Sequence, residues 1–226
     1  MIYLNQRLID NRHRVKFIVI GAGATGSIVL RDLVQLEQSW IQLDNKGFNI
    51  SVYDNDTIMP HNVGKQEGYV ESDIGRYKVD VLAERIGYAF GTQIEANAEM
   101  YVDQRPASDF LISCVDNVDT RKVLNNDFRK GIFNHWIDTG NGEDYGQVCM
   151  ALKGQEELTI IEKFPTLVDN QKVSCSAYES LQEQSFSVNR IVASLVIHMI
   201  SQLMIKGQTP HKEIWFDLKT MNFKTR

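Results

Sequence analysis

The chain has 226 residues, and its 24 Lys and Arg against 29 Asp and Glu leave a formal charge of −5. With 43% hydrophobic and 23% charged residues it has enough apolar side chain to bury a core, which excludes disorder as its dominant state. A pI near 5.6 with mixed signs excludes a DNA-coating or membrane-surface role, so neither a nucleic-acid nor a membrane partner is expected.

The N-terminal Met1–Arg14 mixes polar, charged and apolar residues and has no apolar core of leader length. A β-branched run follows, Val15-Lys16-Phe17-Ile18-Val19-Ile20, and then Gly21-Ala22-Gly23-Ala24-Thr25-Gly26. Ile28, Leu30, Leu33, Val34 and Ile41 recur at helical spacing, Asp44-Asn45-Lys46-Gly47 marks a turn, and Ile50–Asp54 predicts a second strand. Strand, glycine-rich turn, helix and strand make a βαβ unit with a right-handed crossover. Lys78–Ala89 predicts a helix, and Gln93–Met100 alternates as a strand. Phe110–Asp116 reads as a short buried strand ending in an acid, and Thr120–Arg129 as a helix. His135–Gly140 predicts another strand, which Glu143–Lys153 continues into the sheet. Gly154–Ser187 is the least regular stretch. Val188–Ile205 predicts the longest helix, and Glu213–Phe223 a closing hairpin or edge strand. Ser194, His198, Ser201 and Gln202 interrupt the long apolar run, so it is not read as a membrane span. The expectation is an α/β fold: a Rossmann-like, mainly parallel sheet flanked by helices, with a C-terminal antiparallel extension. It forms one domain over residues 1–226 and is cytoplasmic.

Gly21-x-Gly23-x-x-Gly26 sits between a strand and a helix, the context in which this spacing cradles a phosphate. The first glycine permits the tight turn, the second lets the backbone approach the anion, and the third allows close helix–sheet packing. NAD, FAD, S-adenosylmethionine and ATP all fit that motif alone. Asp54, at the end of the second strand, is placed to bind ribose hydroxyls. Beyond it come Asp54-x-Asp56, Asn62-Val63-Gly64-Lys65-Gln66, Gly75-Arg76-Tyr77-Lys78 and Cys114-Val115-Asp116-Asn117, with Arg121 close behind. A hydride-transferring domain has no use for this array. A nucleotidyl transferase does, because it must hold a triphosphate and neutralise charge on phosphorus during attack.

In that order these elements resemble the ThiF/MoeB family, the adenylylating enzymes that activate ubiquitin-like proteins. The resemblance runs from about Phe17 to the C-terminus. It is strongest to the small ThiF-type proteins of plasmid- and phage-associated PRTRC gene systems, through Trp136-Ile137-Asp138-Thr139-Gly140-Asn141, Ser174-Cys175-Ser176 and Val188-Asn189. It implies that Gly21, Gly23 and Gly26 cradle ATP, that Asp54 binds its ribose, and that Asn62, Lys65 and Lys78 contact its phosphates. Asp116 is implied as the Mg²⁺ ligand, so that Lys65, Lys78 and Asp116 carry the chemistry. The chain departs from the family at Lys65, where arginine is usual; the charge is kept and the planar fork lost.

For Cys175 two readings stay open, a nucleophile that accepts the acyl group as a thioester or a structural residue. Cys114 and Cys149 read as core residues, Asp138 as a strand-end structural acid, and His198 as a partly buried packing residue. Arg7, Arg12 and Arg14 are the candidates for the arginine that family dimers insert into the neighbouring subunit. The implied reaction is ATP-dependent adenylylation of the C-terminal carboxylate of a small ubiquitin-like or sulfur-carrier protein. A dimer is implied, as are a conjugating-enzyme-like partner and a JAB-type peptidase. The alternative is a catalytically inactive nucleotide-binding scaffold subunit. An NAD-dependent oxidoreductase leaves Asn62, Lys78 and Asp116 unused.

Overall fold

A computed structural model describes residues 2–3, 13–102, 107–166 and 186–226. The N-terminal β1 (Ile2–Tyr3) pairs antiparallel with β8 (Gln208–Thr209). The βαβ unit is present as β2 (Val15–Ile20), α1 (Ala24–Ile41) and β3 (Phe48–Tyr53), with β2 and β3 parallel and Phe17 opposite Ile50. Then come α2 (Lys78–Phe90), β4 (Ile94–Asn97), β5 (Ser108–Ser113), α3 (Val118–Arg129), β6 (Phe133–Asn141) and β7 (Tyr145–Leu152). After a short α4 (Ile160–Lys163), α5 (Phe186–Lys206), β9 (Glu213–Asp217) and β10 (Asn222–Thr225) complete the described chain.

The main sheet has eight strands in the order β10-β9-β7-β6-β5-β2-β3-β4. β6, β5, β2, β3 and β4 are parallel, and β7, β9 and β10 extend them antiparallel. The chain runs outward from β2 to β3 and β4, then returns to place β5 on the other side of β2. This reversal is a topological switch point, where parallel sheets open a crevice beyond their C-terminal strand ends.

Strand alternation divides the core. Phe17, Val19, Ile50, Val52, Phe110, Ile112 and Ile137 face one side, against α1, α2 and α5. Ile18, Ile20, Leu111 and Trp136 face the other, with Leu124 and Phe128 of α3 and with Tyr101. Both faces are covered, which is why these strands read as continuous apolar runs. α5 is long and apolar enough in composition to cross a membrane, but Val188, Val192, Val196, Met199, Ile200 and Leu203 are buried in the core shared with α1 and the sheet.

The structure corrects several element ends. β4 stops at Asn97, short of the predicted Met100. β5 ends at Ser113, so Asp116 does not close a strand; the backbone leaves the sheet after the bond from Cys114 N to Ile20 O (2.8 Å). His198 is exposed rather than partly buried, because it lies one turn from the exposed Ser194 on the solvent side of α5. Asp138 sits inside β6, not at its end, and is buried.

His135 of β6 is fully buried, stacks on Phe110 with ring centroids 4.4 Å apart, and has Nδ1 3.1 Å from Asp109 O. Its Nε2 has no hydrogen-bond partner among the described residues, and burial pulls its pKa down to about 4 from the usual 6.5. The unfolded chain therefore takes up this proton first as pH falls. The stabilising contribution of the neutral ring is present above pH 6.5 and is lost as pH drops toward 4. Between pH 7 and pH 5 that loss is roughly 2 kcal/mol. Urea unfolding at the two pH values should show the drop in the native chain and a smaller one in His135→Phe; an equal drop in both would assign it to other groups.

Candidate functional site

A crevice of about 350 Å³ opens at the switch point, between the β2–α1 turn and the loop after β5. Gly21 has φ +94°, a region closed to most side chains, and an added Cβ would lie 2.5 Å from Cys114 O. At Gly26 an added Cβ would overlap the carbonyl oxygen of Gly21, because the first turn of α1 presses against the glycine loop. Gly23 differs: it caps α1 with φ −80°, and an added Cβ would meet no atom of the described residues within 4 Å. The space there is left on the crevice side. No acidic residue occupies the first turn of α1, so nothing within that turn offsets its positive end.

The Ala22 peptide is held from both ends. Its N–H donates to Asp54 Oδ2 (2.6 Å) and its carbonyl accepts from the Tyr69 hydroxyl (2.6 Å). Asp54 Oδ1 accepts from Asp56 N (2.8 Å), which fixes the carboxylate at the C-terminal end of β3. Burial raises the pKa of Asp54 above the usual carboxylate value, against the lowering effect of the two backbone donors and of Lys78.

Lys78 opens α2, is 6% exposed, and places Nζ 2.8 Å from Asp56 Oδ2. The half-buried Lys65 and its neighbour Gln66 also line the crevice. Asn62 does not, which corrects its expected place among the phosphate ligands. It is buried, its Oδ1 accepts from Met59 N (2.8 Å), and its carbonyl accepts from Lys65 N and Gln66 N. It shapes the turn that presents Lys65 and Gln66.

The exposed Asp116 also lines the crevice, from the β5–α3 loop. The next residue, Asn117, caps α3 by accepting from Thr120 N at 2.8 Å. Beneath the loop, Arg121 Nε donates to Asp138 (3.1 and 3.3 Å to its two oxygens), and Nη2 donates to Val115 O (2.6 Å) and Thr139 O (2.8 Å). Burial raises the pKa of Asp138, while Arg121 and the Ser113 hydroxyl oppose that rise. Asp138 is thus a partnered structural acid.

The structure brings Gly21, Gly23, Asp54, Lys65, Lys78 and Asp116 to one crevice. Cys114, expected in the core, is half-buried at the crevice wall because it follows the end of β5; burial pushes its thiol up to about 12. Cys149 is buried in β7 as expected, with its thiol also pushed up to about 12. Arg14 lies at the opposite end of β2 from the cradle, with Nη1 3.4 Å from Phe48 O. Arg7, Arg12 and Cys175 lie outside the described residues.

Sequence reasoning missed Tyr69 and Tyr101, which no motif marks. It gave no role to Thr25, Asn141 and Asn189, whose side chains are hydrogen-bonded to one another at the crevice rim. Asn141 and Asn189 had a signal, since both stand in quoted motifs. Among the described residues no group of three His, Cys, Asp or Glu forms a metal cage. A cation here would take one protein carboxylate and complete its shell from a ligand and water, the usual habit of Mg²⁺.

The ThiF family model matches residues 5–226. SUMO-activating enzyme subunit 2 of Dictyostelium discoideum is 26% identical over 183 residues, covering 76% of this chain and 25% of that protein. The NEDD8-activating enzyme E1 catalytic subunit of Saccharomyces cerevisiae is 29% identical over 116 residues, 49% of this chain and 36% of that protein. The chain thus spans about a quarter to a third of these relatives' length. Among solved structures, E. coli MccB with ATP superposes with a TM-score of 0.70 at 18% identity, covering 97% of this chain and 65% of that one, a likeness of fold. With its glycine cradle, its mostly parallel sheet and a family match over nearly its whole length, the chain belongs to the ThiF family.

Proposed function

We propose that the protein is an ATP-dependent adenylyltransferase that activates the C-terminal carboxylate of a small ubiquitin-like or sulfur-carrier protein. One observation carries this reading: a single crevice holds an open phosphate cradle at Gly23, a fixed acid at Asp54, two lysines and a separate acid at Asp116. In this reading Asp54 accepts hydrogen bonds from the ribose hydroxyls and the α1 amides take phosphate oxygens. Lys65 and Lys78 offset triphosphate charge, Lys78 exchanging its Asp56 partner for phosphate. The residues also fit Mg²⁺, because Asp116 supplies one oxygen ligand where phosphate oxygens supply more; the ion would add positive charge beside the leaving pyrophosphate. The substrate carboxylate needs no general base, being already an anion. Its oxygen attacks the α-phosphorus, the bond to the bridging oxygen breaks, and acyl-adenylate and pyrophosphate result.

The likeness to SUMO- and NEDD8-activating enzymes favours a ubiquitin-like substrate. Membership of the PRTRC group, symmetric pairing into a dimer, a conjugating-enzyme-like partner, a JAB-type peptidase and a cytoplasmic location belong to the same proposal. ATP–pyrophosphate exchange with a purified small protein ending in Gly, encoded beside this gene, tests it. Exchange above the substrate-free rate supports the activating enzyme, whereas ATP binding with no exchange points to an inactive scaffold, the reading that Lys65 in place of arginine favours. Cys175→Ala should leave exchange nearly unchanged while removing any reducible adduct with the substrate on a non-reducing gel; an adduct that persists would rule out the thioester at Cys175.

A further inference from the structure

The Arg121–Asp138 pair is almost entirely out of water, at 8% and 2% exposure, and it belongs to a network whose donors converge on the Asp138 carboxylate. Trp136 Nε1 donates to Ser113 Oγ (2.8 Å), and the Ser113 hydroxyl donates to Asp138 Oδ1 (2.5 Å). Asp138 accepts from Arg121 Nε, and Nη2 of the same guanidinium donates to Val115 O and Thr139 O. A buried ion pair is weak evidence of stabilisation, since an apolar pair of similar volume often serves as well. What an apolar pair cannot do is bind two backbone carbonyls at once. Both carbonyls belong to residues that line the crevice, one in the loop beside Asp116 and the other in β6 across from it. Arg121 stands in the second turn of α3, whose start Asn117 caps. The loop from Cys114 to Asn117 is therefore fastened at its sheet end, at its helix end and, through Arg121, at its middle.

We infer that Arg121, oriented by Asp138, is a positioning residue that fixes the Val115–Asn117 loop and so holds Asp116 at its place in the crevice. The link to nucleotide rests on the adenylylation reading; the fastening of the loop does not. Arg121→Lys keeps a charge for Asp138 but loses the planar fork that reaches two carbonyls at once.

Two measurements on the full chain test the inference. In hydrogen exchange without nucleotide, the segment containing Cys114–Asn117 should exchange faster in Arg121→Lys, while core strands β2 and β5 keep their protection. In calorimetry with Mg-ATP, Arg121→Lys should weaken binding about tenfold, but no more than about twofold when Asp116→Asn is already present, because residues acting through one another are not additive. Unchanged exchange in the loop, or the same tenfold loss in both backgrounds, would overturn it. Should Arg121→Lys fail to fold, Asp138→Asn replaces it in both measurements with the same expectations. If the native chain binds no Mg-ATP, the adenylylation reading fails, and hydrogen exchange alone still decides whether Arg121 fastens the loop.

Discussion

Gly26→Ala should abolish nucleotide binding and destabilise the chain, whereas Gly23→Ala should impair binding alone. At Gly26 the added methyl would overlap a backbone carbonyl that cannot swing aside, because Gly21 N is bonded to Tyr53 O (2.9 Å) and the Ala22 peptide is held by Asp54 and Tyr69. Separating α1 from the loop would cost roughly 3 kcal/mol, visible as a lower urea midpoint. At Gly23 the backbone is in a region open to alanine and no described residue fills the space, so stability should be almost unaffected. The methyl would instead stand where a phosphate approaches the helix N-terminus. Circular dichroism with urea and calorimetry with Mg-ATP separate the two. Equal binding by Gly23→Ala and the native chain would place the phosphates elsewhere.

Asp116→Asn should reduce ATP–pyrophosphate exchange by about a hundredfold or more with folding intact. The side chain is exposed and sits in a loop held by other residues, so its charge contributes little to stability. Its removal takes away the carboxylate proposed to fix the cation beside the departing pyrophosphate. Exchange at the native rate would remove Asp116 from the chemistry and leave the crevice a binding site only.

The βαβ unit was legible because its signals are local: a β-branched run, three glycines at fixed spacing and an amphipathic helix follow in order. The parallel sheet and its antiparallel C-terminal extension were legible for the same reason, though the pattern of Glu213–Phe223 does not separate a hairpin from an edge strand. Asp116 was misplaced because Cys114-Val115 continues the apolar run of β5, and periodicity alone cannot tell a buried strand from the loop that follows it. Beyond the strand end Arg121 reaches back from α3 to bind Val115 O, a contact between elements that spacing does not encode. Asn62 shows the opposite case. Its motif led to the right loop, but its side chain holds the turn while Lys65 and Gln66 line the crevice. Tyr69 carried no signal at all, since a lone tyrosine in a polar stretch becomes informative only when its hydroxyl is seen on Ala22 O.

Nucleotide choice tests the central claim most directly. An oxidoreductase and an adenylylating enzyme can share the cradle and Asp54, but only the latter needs Lys65, Lys78 and Asp116 in the same crevice. Isothermal titration of the native chain with Mg-ATP and with NAD should show Mg-ATP binding more tightly, and Lys78→Ala should weaken Mg-ATP markedly. NAD binding more tightly than Mg-ATP, with Lys78→Ala leaving both unchanged, would contradict the adenylylation account.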